Sequence, residues 1–410
     1  MKRTIVIIAF LIGFALPGFA QNASSLMKVI EQAFKERKAE LLKPQLASNF
    51  ALGVYSLPRA NVAMDRILTH YAALDKLELL KEKKNKTGKI LFVKFSFVHE
   101  KSSESVIYLD QQGKIERFGF FDQLFGIDIN RPSKLMAEIP FVIEHKSIVL
   151  KVKLNNSDRE LRIMFDTGAD GMGMKKAVAD EIGLKVTRQQ NTNVVGASTQ
   201  VSISGGNLIK IDTLKIANQN IAIFPTFRND LDGLLGGNLL ANYITYLDFD
   251  HSVIKLYSFG TFTYPEGGTL VPLDYSAGIP GIKAGIKLNS GKEIESDLHF
   301  DTGAAYPIIL YGPSVNRLEL TKDFNVAYEG VNYSMGHQTP TVSGLFEHVK
   351  LGDKQVSNFI GTIQSYSESS GNWAPGDGSL GLEIIRQFNC FINLAAHEYY
   401  LIPNKNMGNL

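Results

Sequence analysis

Ile163-Met164-Phe165-Asp166-Thr167-Gly168-Ala169 and Leu298-His299-Phe300-Asp301-Thr302-Gly303-Ala304 are one phrase written twice, and they decide the fold. In each copy a strand-like apolar run closes on Asp-Thr-Gly. The echo extends in both directions. Upstream, Val152-Lys153-Leu154-Asn155 matches Ile286-Lys287-Leu288-Asn289. Downstream, Asp232-Gly233-Leu234-Leu235-Gly236 matches Asp377-Gly378-Ser379-Leu380-Gly381. Each downstream copy leads into an aliphatic pair (Leu239-Leu240, Ile384-Ile385), an aromatic (Tyr243, Phe388) and a final hairpin ending near Tyr257 or Ile402. The Asp-Thr-Gly copies lie 135 residues apart and the Gly236 and Gly381 copies 145. Order is kept and loop lengths differ modestly, so the strand-rich part of the chain is a tandem duplication, at about 138–262 and 263–405.

The doubled Asp-Thr-Gly resembles the paired active-site loops of the aspartic proteases, and that resemblance implies a specific chemistry. Hydrolysing a peptide bond without a metal needs a water made nucleophilic on one side and an amide protonated on the other. Two carboxyls within about 3 Å cannot both ionise easily, so their proton affinities split and one serves as base while the other keeps the proton. Two symmetry-related loops meeting tip to tip supply that geometry within one chain. Asp166 and Asp301 are the expected pair. Gly168 and Gly303 lack a Cβ and let the two backbones approach closely. Asp170 has Ala305 as its counterpart, so it is expected to make a local ion pair or a substrate contact. Asp232 and Asp377 each precede a glycine and read as turn residues.

These residues resemble the aspartic proteases, and the retroviral-type (retropepsin-like) branch in particular. Phe165-Asp166-Thr167-Gly168-Ala169-Asp170 is similar to the retroviral active-site loop, and Leu234-Leu235-Gly236-Gly237-Asn238-Leu239-Leu240 to that family's glycine turn and closing helix. The resemblance covers about two thirds of the chain, residues 138–405. It implies an all-β bilobal acid-protease fold and an aspartic-type endopeptidase acting on extended polypeptide, with no metal and no cofactor. It implies that Thr167 and Thr302 hydrogen-bond across the junction of lobe 1 (138–262) and lobe 2 (263–405), and that Gly236 and Gly381 form the glycine turns. It also implies flaps, with Gly196 and Gly330 as candidate tips. Ala169 and Ala304 stand where many pepsin-like relatives place a hydroxyl that stabilises the neighbouring carboxylate. Its absence on both sides is expected to raise the pair's proton affinity and give a pH optimum less acidic than a gastric-type enzyme's. One chain carries both loops, so a monomer suffices for the site.

The rest of the chain frames that core. Lys2-Arg3, the apolar run Ile5–Leu16 and the small residues of Pro17-Gly18-Phe19-Ala20 form a secretory signal peptide at 1–20. The run is shorter than the roughly 20 residues that cross a bilayer. An exported protein without stable membrane insertion is expected, periplasmic or secreted, from a bacterium. The single Cys390 excludes an internal disulfide. A net charge of +2 on 410 residues gives no basic surface for nucleic acid.

Residues 22–125 read as a small α+β domain. Leu26, Ile30, Phe34 and Leu41 recur at helical spacing, and a second helical stretch follows Pro58. Leu91, Val93, Phe95 and Phe97 then alternate as one face of a strand, with two more strands at 105–110 and 114–120. This element order resembles the ketosteroid-isomerase-like cone. A linker at 126–137 contains Gly126, Asn130, Pro132 and Ser133. Other catalytic classes fail: His397-Glu398-Tyr399-Tyr400-Leu401 lacks the second histidine of a zinc protease, and there is no Gly-x-Ser-x-Gly elbow or phosphate loop. The competing reading is a silent protease fold kept for peptide binding or assembly.

Overall fold

A computed structural model describes residues 23–194, 197–322, 324–334, 336–365 and 376–408. The expected signal peptide at 1–20 and the candidate tip Gly196 therefore lie outside the described residues. Two compact units divide the chain, one of the described residues up to Phe50 with Met64–Phe120, the other of Ala51–Ala63 with the described residues from Phe121 onward. No described helix is long and apolar enough to cross a membrane.

In the first unit the helix Ala23–Glu36 buries Leu26, Ile30 and Phe34, the face its spacing announces. It ends where Arg37 adopts φ +58°. The sheet runs in the order Leu46–Leu52, Ile115–Phe118, Ser103–Asp110, Gly88–Phe97, Leu74–Lys84. On Gly88–Phe97 the residues Leu91, Val93, Phe95 and Phe97 alternate inward, as their period of two requires. Phe34, Phe95, Phe97, Phe118 and Phe120 form its aromatic core, with Phe95 stacked on Phe120 at 4.8 Å.

The second unit is mostly strand, and the two repeats follow one plan. In the first, Leu161–Phe165 pairs in parallel with Gly233–Leu235, whose other edge pairs antiparallel with Met172–Lys175. In the second, Glu293–Asp301 pairs in parallel with Gly378–Gly381, whose other edge pairs antiparallel with Ile308–Leu310. The registers correspond: Ile163 faces Gly233 and Leu298 faces Gly378. Each repeat also contributes a long hairpin, Val186–Val194 with Ala197–Ile211 and Val326–Ser334 with His337–Leu351.

A six-strand antiparallel stretch joins the repeats, in the order Leu135–Pro140, Val253–Tyr257, Ile244–Asp248, Phe388–Asn393, Glu398–Pro403, Thr269–Asp274. One apolar core runs through both repeats, from Ile148 and Phe165 to Phe300, Ile392 and Leu401. Cys390 is wholly buried in it and burial pushes its thiol pKa up, so it is an inert core residue.

Candidate active site

Each aspartate sits where its apolar strand ends. Phe165 and Phe300, fully buried, anchor those strands, and the following Asp-Thr-Gly turns away over the closing strand. That crossing leaves no room for a side chain at the glycine turns. A Cβ on Gly236 would lie 1.9 Å from the Asp166 carbonyl oxygen, and one on Gly381 1.8 Å from that of Tyr306. Amides just beyond them hold the loops down, Gly237 to the Ala169 carbonyl at 2.9 Å and Leu382 to the Ala304 carbonyl at 2.9 Å.

The structure brings the two loops together through their threonines. Thr167 and Thr302 are fully buried. The Thr167 amide donates to Thr302 Oγ1 at 3.0 Å, and the Thr302 amide to Thr167 Oγ1 at 3.0 Å. Each hydroxyl then donates across the junction, Thr167 to the Phe300 carbonyl at 2.5 Å and Thr302 to the Phe165 carbonyl at 2.8 Å. A hydroxyl both accepts and donates, so one threonine on each side satisfies four buried backbone groups.

This lock sets each carboxyl against the opposite loop. A Cβ on Gly168 would fall 2.6 Å from Asp301 Cγ, and one on Gly303 2.4 Å from Asp166 Cγ. Asp166 accepts from the Gly168 amide at 2.9 Å; Asp301 accepts from Gly303 at 2.9 Å and Ala304 at 3.1 Å. Burial and the neighbouring Asp301 carboxyl hold Asp166 well above the usual carboxylate range. Burial raises Asp301 too, against the opposing pull of His299, the Ser379 hydroxyl and the Gly303 amide. The two carboxyls are coupled and both are raised, so they share a proton and titrate as a pair.

One expectation is corrected on one side. Ala169 and Ala304 do withhold a hydroxyl, yet Ser379 Oγ donates to Asp301 Oδ2 at 3.1 Å from the closing strand. Strand pairing brings it there, with Ser379 facing His299. A comparison of the two copies carried the signal, because Ser379 stands where the first repeat has Leu234, and a polar residue at a buried strand position needs a reason. Nearby, Tyr306 Oη donates to Asn332 Oδ1 at 2.6 Å, tying the second hairpin to the loop.

Asp232 and Asp377 staple turns. The amide of Arg162 donates to Asp232 Oδ2 at 2.8 Å and that of Asp297 to Asp377 Oδ2 at 3.0 Å, at corresponding positions. Arg159 and Arg317 pair with the same two carboxylates. Asp170 is exposed. Gly330 is not a flap tip: it faces Thr341 within the paired strands, and the hairpin turns between Ser334 and His337. A tight reversal needs a left-handed residue, and Gly336 supplies it at φ +88°. The first hairpin pairs as far as Val194 with Ala197, and the other candidate tip, Gly196, lies outside the described residues.

Residues 150–239 match the family model described as aspartyl protease, a stretch reaching from the strand before Asp166 to the residues just past Gly236. No curated protein sequence matches the chain. Among solved structures, the aspartic proteinase from Irpex lacteus is similar at 12% identity, covering 68% of this chain and 99% of that one with a TM-score of 0.43. The matched stretch lies within the first repeat and contains both the Asp166 loop and the Gly236 turn.

Proposed function

We propose that this protein is an aspartic endopeptidase of bilobal, retropepsin-like design, with Asp166 and Asp301 as its catalytic pair in the cleft between two lobes. The observation that carries the reading is the reciprocal placement of each carboxyl over the other loop's glycine, locked by Thr167 and Thr302. In the reaction, the ionised carboxyl takes a proton from a water as the water oxygen bonds to the peptide carbon. The protonated carboxyl gives its proton to the carbonyl oxygen. The tetrahedral intermediate collapses with proton transfer to the amide nitrogen, the C–N bond breaks, and the pair returns to one shared proton.

An extended polypeptide is the substrate, adding to strand edges under the hairpins while alternate side chains enter pockets. We read the protein as exported, periplasmic or secreted, with one chain sufficient for the active site and the preceding α+β domain as a packing, dimerisation or delivery module. Cleavage of a peptide library across about pH 3 to 8, with Asp166→Asn and Asp301→Asn as controls, tests the reading. Loss of cleavage in both variants supports a single-chain dyad. Cleavage surviving in either variant, or absent from the parent protein, overturns it, the latter in favour of a peptide-binding module.

A further inference from the structure

The two repeats differ most sharply behind their aspartates. On the first side, Met164 pairs with Leu234 and nothing in that pair can donate a hydrogen bond to Asp166. On the second side the same register places His299 opposite Ser379. Tyr311 completes the group; its amide bonds the Asp377 carbonyl as that of Lys175 bonds the Asp232 carbonyl, so Lys175 is its counterpart. Ser379 is 1% exposed and Tyr311 2%. Three contacts connect them: Ser379 Oγ to Asp301 Oδ2 at 3.1 Å, Tyr311 Oη to Ser379 Oγ at 2.6 Å, and His299 Nδ1 to Tyr311 Oη at 3.4 Å.

Hydrogen counting gives this chain a direction. An ionised carboxylate only accepts, so Ser379 must donate to it. That uses the one hydroxyl proton of Ser379, whose oxygen then accepts from Tyr311. Tyr311 has spent its own proton and accepts from His299, which carries its hydrogen on Nδ1. Burial raises the Tyr311 hydroxyl far above its ordinary pKa, so it stays a donor. Protonating Asp301 on the oxygen that faces Ser379 would reverse every bond in the chain. The other groups around Asp301 are the Asp166 carboxyl across the junction, the Gly303 and Ala304 amides, and the Tyr306 hydroxyl held by Asn332.

We propose that Ser379, backed by Tyr311 and His299, is a positioning residue that makes the two carboxyls unequal, fixing Asp301 as the base toward water and Asp166 as the acid toward the carbonyl. This rests on the proposed protease reading but is testable apart from it. The full chain, labelled with carbon-13 at the aspartate carboxyls, is titrated by NMR, with Asp301 assigned through Asp301→Asn. Ser379→Ala is expected to raise the Asp301 midpoint by about one pH unit, the scale of a lost hydrogen bond to a charged group. Tyr311→Phe raises it less, and Ser379→Thr restores it. The acid limb of kcat/KM for peptide cleavage moves by the same amount and in the same direction, which a merely structural role would not produce. An Asp301 midpoint unmoved in both Ser379→Ala and Tyr311→Phe overturns the proposal, as does a shift on Asp166 alone. A shifted Asp301 in a protein that cleaves nothing upholds the asymmetry while the protease reading fails.

Discussion

Tyr246 and Phe391 stack with ring centroids 4.1 Å apart and planes 18° from parallel, where Ile244–Asp248 pairs antiparallel with Phe388–Asn393. They are the same residue of the two repeats, 145 positions apart like the glycine turns. A strand that pairs antiparallel with its own copy must place one residue opposite its equivalent, and here Tyr246 faces Phe391. The local two-fold relation therefore passes through this stack, as it would through a self-paired dimer interface. Phe391 is buried and also meets Phe262 and Tyr264. Phe391→Ala is expected to cost about 3–5 kcal/mol, the usual loss for truncating a core phenylalanine. Urea unfolding followed by far-UV circular dichroism measures it, and a loss below about 1 kcal/mol would show that the stack is not a structural anchor.

The threonine lock predicts a different pattern. Thr167→Val and Thr302→Val keep the shape but strand a buried amide and a buried carbonyl each, at about 1–3 kcal/mol per orphaned group. Both variants should lower the melting temperature and reduce peptide cleavage together, while Thr→Ser at either position should restore most of both. A double variant whose loss is clearly smaller than the sum of the singles would reflect their shared network. Strict additivity would argue that the two hydroxyls act independently.

Much of this was legible in the sequence because duplication repeats its own message. The alternation of Leu91, Val93, Phe95 and Phe97 marked an inward strand face, and the doubled Asp-Thr-Gly marked the two loops that the threonines join. What escaped reading depends on distance in sequence or on register. Ser379 reaches Asp301 across 78 residues through a parallel strand pairing that no local pattern encodes. Gly330 looked like a tip because glycines are common in turns, but hairpin register placed the reversal beyond Ser334. Alanine at 169 and 304 removes only the hydroxyl next in sequence, and on the Asp301 side the closing strand supplies another from Ser379.

Glycine substitutions separate required from incidental glycines. At Gly236 an added Cβ would meet the Asp166 carbonyl oxygen at 1.9 Å and the Ala169 oxygen at 2.6 Å, both backbone atoms that cannot step aside. Gly236→Ala and Gly381→Ala should fail to fold or lose more than about 4 kcal/mol. At Gly330 the nearest atom to an added Cβ is Thr341 Oγ1 at 3.4 Å, an ordinary contact, so Gly330→Ala should stay within about 0.5 kcal/mol. Thermal melts of the three variants side by side check this. A destabilised Gly330→Ala would mean that this position does need glycine after all.

The raised proton affinity of the pair links stability to pH. In the folded protein Asp166 is held well above the usual range by burial and by Asp301, whereas the unfolded chain titrates near pH 4. Between those two values the folded state binds more protons than the unfolded one, so stability falls as pH rises through that window. Above it the folded protein carries the cost of a buried negative charge that the unfolded chain does not. Asp166→Asn removes that cost while keeping the side-chain shape. The variant should therefore be inactive yet more stable than the parent protein at neutral pH, with the difference shrinking below about pH 4, where both states of the parent are protonated. Denaturant midpoints measured at several pH values decide the point. A variant less stable than the parent at every pH would mean that Asp166 is held by favourable interactions of its charged form and that its proton affinity is not raised by folding.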